Sequence, residues 1–152
     1  MQWSAEANAG FTTGTPWRAP APDYQEVNVT VQDDDPDSLL NHYRSLIRIR
    51  NANAALRTGE LGLIDTDNPG VYAVLRSSAD QTLLVIVNLE KTPISDYHLS
   101  LNENILSDGT FTPQTLFGTM EALPVTISGG KFSEYRPVSE LLPYQSYIFE
   151  ME

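Results

Sequence analysis

The spacing of apolar residues changes character twice along the chain. In the first 35 residues it has no period. "MQWSAEANAGFTTGTPW" scatters two tryptophans and a phenylalanine among Gly, Asn and Thr, with too few spaced apolar positions for a helix and too many turn formers for a strand. The run "TPWRAPAPDY" follows, where Pro16, Pro20 and Pro22 fix φ and extend the residues before them. Next, "EVNVTV" alternates and reads as a short strand-like piece. A helical period then takes over in "DPDSLLNHYRSLIRIRNANAAL", predicting a helix over about 36–53 with Asp35 as N-cap and Pro36 in the first turn. At 100° per residue, Leu39, Leu40, Tyr43, Leu46 and Ile47 share one arc, and Arg50 projects near its middle. A guanidinium placed there needs a carboxylate or a set of carbonyls.

From about residue 60 the period drops to two. "ELGLID", "VYAVLRS", "TLLVIVNL", "DYHLSL", "QTLFG", "LPVTISG", "GKFSEY" and "QSYIFEME" read as strands, separated by "DNPG", "SSAD" and "SGG" turns. Many short strands at this spacing predict an antiparallel sandwich or barrel. "LLVIVNL" is apolar on both faces and is expected at the centre of a sheet, and the final "LLPYQSYIFEM" is expected to close it.

Composition narrows the partners. Twenty acidic against nine basic residues give a formal charge of −11, which argues against nucleic acid and anionic membranes. The absence of cysteine removes disulfides and thiolate chemistry without fixing the compartment, for which the cytoplasm is the expectation. No metal or other cofactor is expected. His42 and His98 lie far apart in sequence without a third ligand at a telling spacing, and "DDDPD" lacks the glycine turn and distant glutamate of a calcium loop. Paired carboxylates could hydrolyse a glycoside, but sequence alone does not select a pair from twenty acids. Trp3, Phe11, Trp17 and Tyr24 could form a sugar-stacking platform or anchor the loop to an underlying surface.

The segments "MQWSAEANAGFTTGTPW", "YQEVNV", "DDPDSLLNHYRSLIRIRNANAAL" and "GVYAVLR…LLVIVNL" together resemble the C-terminal part of the α-amylase family of glycoside hydrolases, most closely its α-glucosidase and oligo-1,6-glucosidase branch. Where that family usually has Asp after "MQW", this chain has Ser4. The resemblance implies a mainly β chain: a C-terminal antiparallel β-sandwich over 59–152, preceded by the end of a (β/α)₈ barrel over 1–58. Within 1–58 it implies a rim loop over 1–35 and the last barrel helix over about 36–53. It further implies a retaining hydrolase or transglycosylase of α-glucosidic bonds, with Trp3, Phe11 and Trp17 at the sugar site. Leu39, Tyr43, Leu46, Ile47 and Arg50 take structural roles.

The family's catalytic carboxylates precede this segment, so none is assigned here and the chain alone is expected to be inactive. The expected partners are the upstream catalytic barrel and, in the intact enzyme, an α-glucan. A second copy, meeting through the helix or the N-terminal loop, is a third. The other readings are a free-standing carbohydrate-binding module and an unrelated assembly sandwich.

Overall fold

The structure, a computed structural model, describes residues 1–151. It divides into two compact units, Met1–Arg48 and Ile49–Glu152. The first holds a tight turn at Ala7–Gly10, helix α1 (Val29–Asp34) and most of helix α2 (Leu39–Ala52). The sequence "EVNVTV" is therefore not a strand: its second half opens α1. The cause is Asn28, a buried cap whose Oδ1 accepts the Val31 N–H at 3.0 Å. Its amide group donates back to the carbonyls of Tyr24 and Gln25 at 3.0 and 3.3 Å, closing the turn before the helix.

Helix α2 also starts later than its sequence suggests. Asp35 opens a separate turn, its carboxylate accepting the Asp37 N–H at 2.9 Å and its carbonyl the Ser38 N–H at 3.1 Å. The cap is Ser38, a buried residue whose Oγ accepts the Asn41 N–H at 3.2 Å. A second free amide of that first turn, Leu40 N–H, is taken by Gln32 Oε1 at 3.1 Å. The Asn41 side chain donates to the carbonyls of Gln32, Asp33 and Asp35, so the end of α1 is satisfied by the start of α2. α2 keeps no residue fully buried, and Leu39, Tyr43 and Ile47, one turn apart, are each more than half exposed.

The second unit is mainly β and antiparallel. A short helix α3 (Ala54–Thr58) leads into β1 (Glu60–Leu63), β2 (Asp65–Thr66), β3 (Val71–Ser78) and β4 (Gln81–Asn88). Then follow β5 (Leu99–Leu101), β6 (Gly109–Phe111), β7 (Gln114–Phe117), β8 (Val125–Ile127), β9 (Phe132–Tyr135) and β10 (Ser146–Glu150). One sheet runs β1-β3-β4-β10-β7, a second β2-β5-β9, and β6 pairs with β8. β4, apolar on both faces, lies third of five, and β10 sits inside the sheet between β4 and β7.

"ELGLID" reads as one strand but serves two sheets. β1 pairs with β3, β2 pairs with β5, and the chain changes sheet at Ile64, whose side chain is buried in the core. Ala73, Leu75, Leu84, Ile86, Tyr147 and Phe149 of the large sheet meet Leu99, Leu101, Phe132 and Tyr135 of the second sheet there, with Val125 and Ile127 of the third. At about 25 cal/mol per Å² of apolar surface removed from water, this shared core is the main stabilising term of the unit.

The polar groups in that core are satisfied. Tyr97, fully buried, donates to the Val138 carbonyl at 2.9 Å, and burial pushes its phenol up to about 12. Asn88 donates to the carbonyls of Thr92, Leu141 and Leu142, each at 3.0 Å, while its Oδ1 accepts the Glu90 N–H at 2.8 Å.

Candidate functional site

The first 28 residues are ordered by hydrogen bonds rather than by periodic structure. The Ala9 carbonyl accepts the amides of Trp3 and Ser4 at 2.9 and 3.2 Å. Gln2 bridges the loop, its amide donating to the Val27 carbonyl at 2.5 Å and its Oε1 accepting the Ala21 N–H at 3.2 Å. The Trp3 carbonyl accepts both the backbone amide and the hydroxyl of Thr30, at 3.0 and 2.9 Å. The loop therefore rests on its own unit. Gln2, Asn8 and Asn28 do this, and the sequence showed them only as polar residues of a loop.

The turn at its centre is strained. Asn8, Ala9 and Gly10 all have positive φ, at 55°, 56° and 64°. For Gly10 this is free, whereas any other residue would be strained at that φ and its Cβ would press on Ser4 Oγ at 2.6 Å. Asn8 tolerates it by donating its side-chain amide to the carbonyls of Thr12 and Gly14, both at 3.1 Å. Ala9 has no such compensation and is buried, so its left-handed backbone costs about 1–2 kcal/mol. Strain of this kind concentrates where a loop must hold one shape for a ligand.

A cleft of about 230 Å³ opens beside this turn, lined by Met1, Gln2, Asn8, Ala9, Phe11, Pro16, Arg18, Ala19 and Pro20. A second, more open hollow on the same turn is lined by Glu6, Ala7, Asn8, Gly10, Phe11, Thr12 and Thr13. Phe11 lines both and is well exposed. Trp3 is half exposed and Trp17 fully so, and neither lines these hollows. Of Trp3, Phe11 and Trp17, only Phe11 lines these two hollows. Arg18 supplies a cationic donor and Gln2 a second amide hydrogen beside an apolar rim, a set suited to hydroxyl-rich ligands. Ser4 is engaged locally, its Oγ accepting the Glu6 N–H at 3.3 Å.

The remaining sequence candidates lie elsewhere. Leu46 is half-buried on α2, beside the exposed Leu39, Tyr43 and Ile47. Arg50 is exposed rather than set within an apolar face, and its guanidinium donates to the Leu56 carbonyl in α3. In the acidic run, Asp33 pairs with Arg44. His98 holds Asp67: its backbone amide and Nδ1 lie 2.6 and 2.8 Å from the two carboxylate oxygens. These bonds hold Asp67 below the ordinary carboxylate range, opposite to the shift a general acid needs. Among the described residues no group of three or more His, Cys, Asp or Glu is placed to hold a metal ion.

Residues 1–59 match the alpha-amylase family in the part described as its catalytic domain. The chain is 41% identical over 95 residues to an oligo-1,6-glucosidase of Parageobacillus thermoglucosidasius, covering 62% of this chain and 17% of that protein. It is 40% identical over 152 residues to a trehalose-6-phosphate hydrolase of Bacillus subtilis (strain 168), covering 99% of this chain and 24% of that one. Among solved structures, a trehalulose synthase from Pseudomonas mesoacidophila MX-45 superposes with a TM-score of 0.71 at 37% identity, over 99% of this chain and 24% of the other. The chain thus spans between about a sixth and a quarter of the length of these relatives.

Proposed function

The chain belongs to the alpha-amylase family of glycoside hydrolases, and we propose that it is the C-terminal part of a retaining enzyme that hydrolyses or transfers α-glucosidic bonds of malto- or isomalto-oligosaccharides. In this reading residues 1–58 complete a catalytic barrel and residues 59–152 form a sandwich that stabilises it. The observation that carries it is the match of residues 1–59 to the family's catalytic domain, on the same residues that build the strained turn and its cleft. The names of the relatives, an oligo-1,6-glucosidase and a trehalose-6-phosphate hydrolase, support the substrate class.

The chain by itself is non-catalytic. Retaining hydrolysis needs two carboxyl groups about 5 Å apart in a shaped cleft, and the cleft beside Ala9 has no Asp or Glu in its lining. Trp3, Phe11 and Trp17 stand at the sugar site of the whole enzyme, where Phe11 stacks on a sugar ring. The exposed stripe of Leu39, Tyr43 and Ile47 packs on the rest of the barrel, and in its absence two copies of the chain associate through it.

The test is direct. The purified chain should release no nitrophenol from a nitrophenyl α-glucoside and no glucose from isomaltose, and turnover above buffer would overturn the reading. In the complete enzyme, Phe11→Ala should raise KM about tenfold, the equivalent of about 1.4 kcal/mol of lost ring contact. An unchanged KM removes Phe11 from the site. Retardation of the chain in a gel containing soluble starch would favour the free-standing binding module instead.

A further inference from the structure

We infer that the strand-rich unit carries a binding site of its own for one neutral, hydroxyl-rich ring, a monosaccharide or a cyclitol, at the turn end of the β3–β4 hairpin. A hollow of about 260 Å³ lies there, between that hairpin, the 105–107 segment, and the β6–β8 pair. Its rim carries four hydroxyls, on Ser77, Ser78, Thr82 and Ser107. Its wall is apolar: Leu106, Phe111 and Met151 are partly buried against the core and Ile127 is buried.

Three observations select the ligand. No charged side chain lines the hollow, so neither an anion nor a cation finds a partner. The rim groups are rotatable hydroxyls that both donate and accept, matching the mixed edge of a sugar ring. Ser77 Oγ and Thr82 Oγ1 lie 3.2 Å apart across the hairpin and present a linked pair to the hollow. The volume is just below that of pockets for drug-sized ligands, enough for a single ring and not for a chain of them.

The neighbourhood keeps the hollow shaped. Gly109 has φ of 152° and lies against the Phe111 ring, where an added Cβ would be 3.2 Å from Cε2. Met151 is tied in by its backbone N–H, which donates to the Thr82 carbonyl at 2.9 Å. The ring of Phe111 and the Met151 side chain are thus held as an apolar surface for one face of a pyranose, with the hydroxyl rim meeting its edge. The site shares no residue with the cleft beside Ala9, so it stands or falls independently of the proposed activity.

Titration of the isotope-labelled chain with glucose, followed by amide NMR, tests this. Saturable shifts are expected at residues 77–82 and 105–107. Thr82→Val, which keeps shape and removes one hydroxyl, should weaken them about three- to tenfold. Ser107→Trp, placed on an exposed residue at the mouth, should abolish them without changing the melting temperature. Gluconate and glucosamine should shift these amides less than glucose does. The inference is overturned if glucose leaves them unmoved, if the shifts survive Ser107→Trp, if the charged analogues bind as well, or if glucose moves only residues 1–20.

Discussion

Asn88→Asp is the substitution by which the strand-rich unit can be tested most sharply. The side chain is 1% exposed, and its amide group donates to three carbonyls while its oxygen accepts one backbone N–H. Aspartate preserves size and shape and still accepts the Glu90 N–H. It replaces the donor by an oxygen that faces the carbonyls of Thr92, Leu141 and Leu142 at 3.0 Å. Leu141 and Leu142 keep second partners, the Ile94 and Gln145 N–H groups at 3.0 and 3.2 Å, so the loss falls on the Thr92 carbonyl and, in an alanine variant, on the Glu90 N–H as well. At about 1–2 kcal/mol for each of these two polar groups left unmet, Asn88→Ala should cost about 2–4 kcal/mol. Asn88→Asp at neutral pH should cost more, about 3–5 kcal/mol, because a buried charge is left unpaired.

At about 2–4 °C per kcal/mol, the alanine variant melts roughly 4–16 °C lower. The carboxyl introduced by Asn88→Asp would have its folded-state pKa raised above the unfolded value of about 3.9. Stability is then fully retained below that value and lost as pH rises through the folded pKa, so the gap to wild type should be smallest near pH 4. Both tryptophans, Trp3 and Trp17, lie in the first unit. The melt is therefore read from near-ultraviolet circular dichroism of buried tyrosines such as Tyr97 and Tyr147. An alanine variant melting within about 1 °C of wild type, or an aspartate variant with no pH dependence, would falsify this account of the site.

Three further perturbations follow from the same kind of reasoning. His98→Ala should lower the urea midpoint at neutral pH; because His98 depresses the Asp67 pKa, that contribution is present above about 3.9 and disappears as pH falls through the folded value, so the two proteins should converge in acid. Gly59→Ala should destabilise by about 1–3 kcal/mol in urea unfolding, since its Cβ would lie 2.4 Å from the Ala55 carbonyl oxygen and 2.6 Å from that of Ser77, both backbone atoms that do not yield. Gln2→Ala removes both bridges across the N-terminal loop, so proteolysis within residues 11–27 should accelerate while the tyrosine melt of the strand-rich unit stays put; an unchanged cleavage rate refutes the bridging role.

The sequence by itself determined the elements whose signal is local. The helical arc through Leu39, Tyr43 and Ile47 yields α2, and the two-residue period of "VYAVLRS", "LLVIVNL" and "QSYIFEM" yields β3, β4 and β10. The same local text, in "MQW…NAGFTTG…PW", carried the family. It also misled where local and tertiary demands diverge. The alternation in "EVNVTV" looked like a strand, but its amides at Val29 and Thr30 are taken by the carbonyls of Gln2 and Trp3, so no neighbouring strand is there to pair with it. Asp35 looked like the cap until Ser38, fixed by Gln32, took that place.

Only the tertiary structure decided which polar residues hold the chain together and where hollows open. Gln2 reaches Val27, Asn88 reaches Leu141, and Asp67 reaches His98 across 25, 53 and 31 positions. No periodicity records such pairings, because a hydrogen bond between distant residues depends on how the backbone returns, not on spacing along it. The strand break at Ile64 has the same origin: one apolar run is shared by two sheets only because both close over a single core.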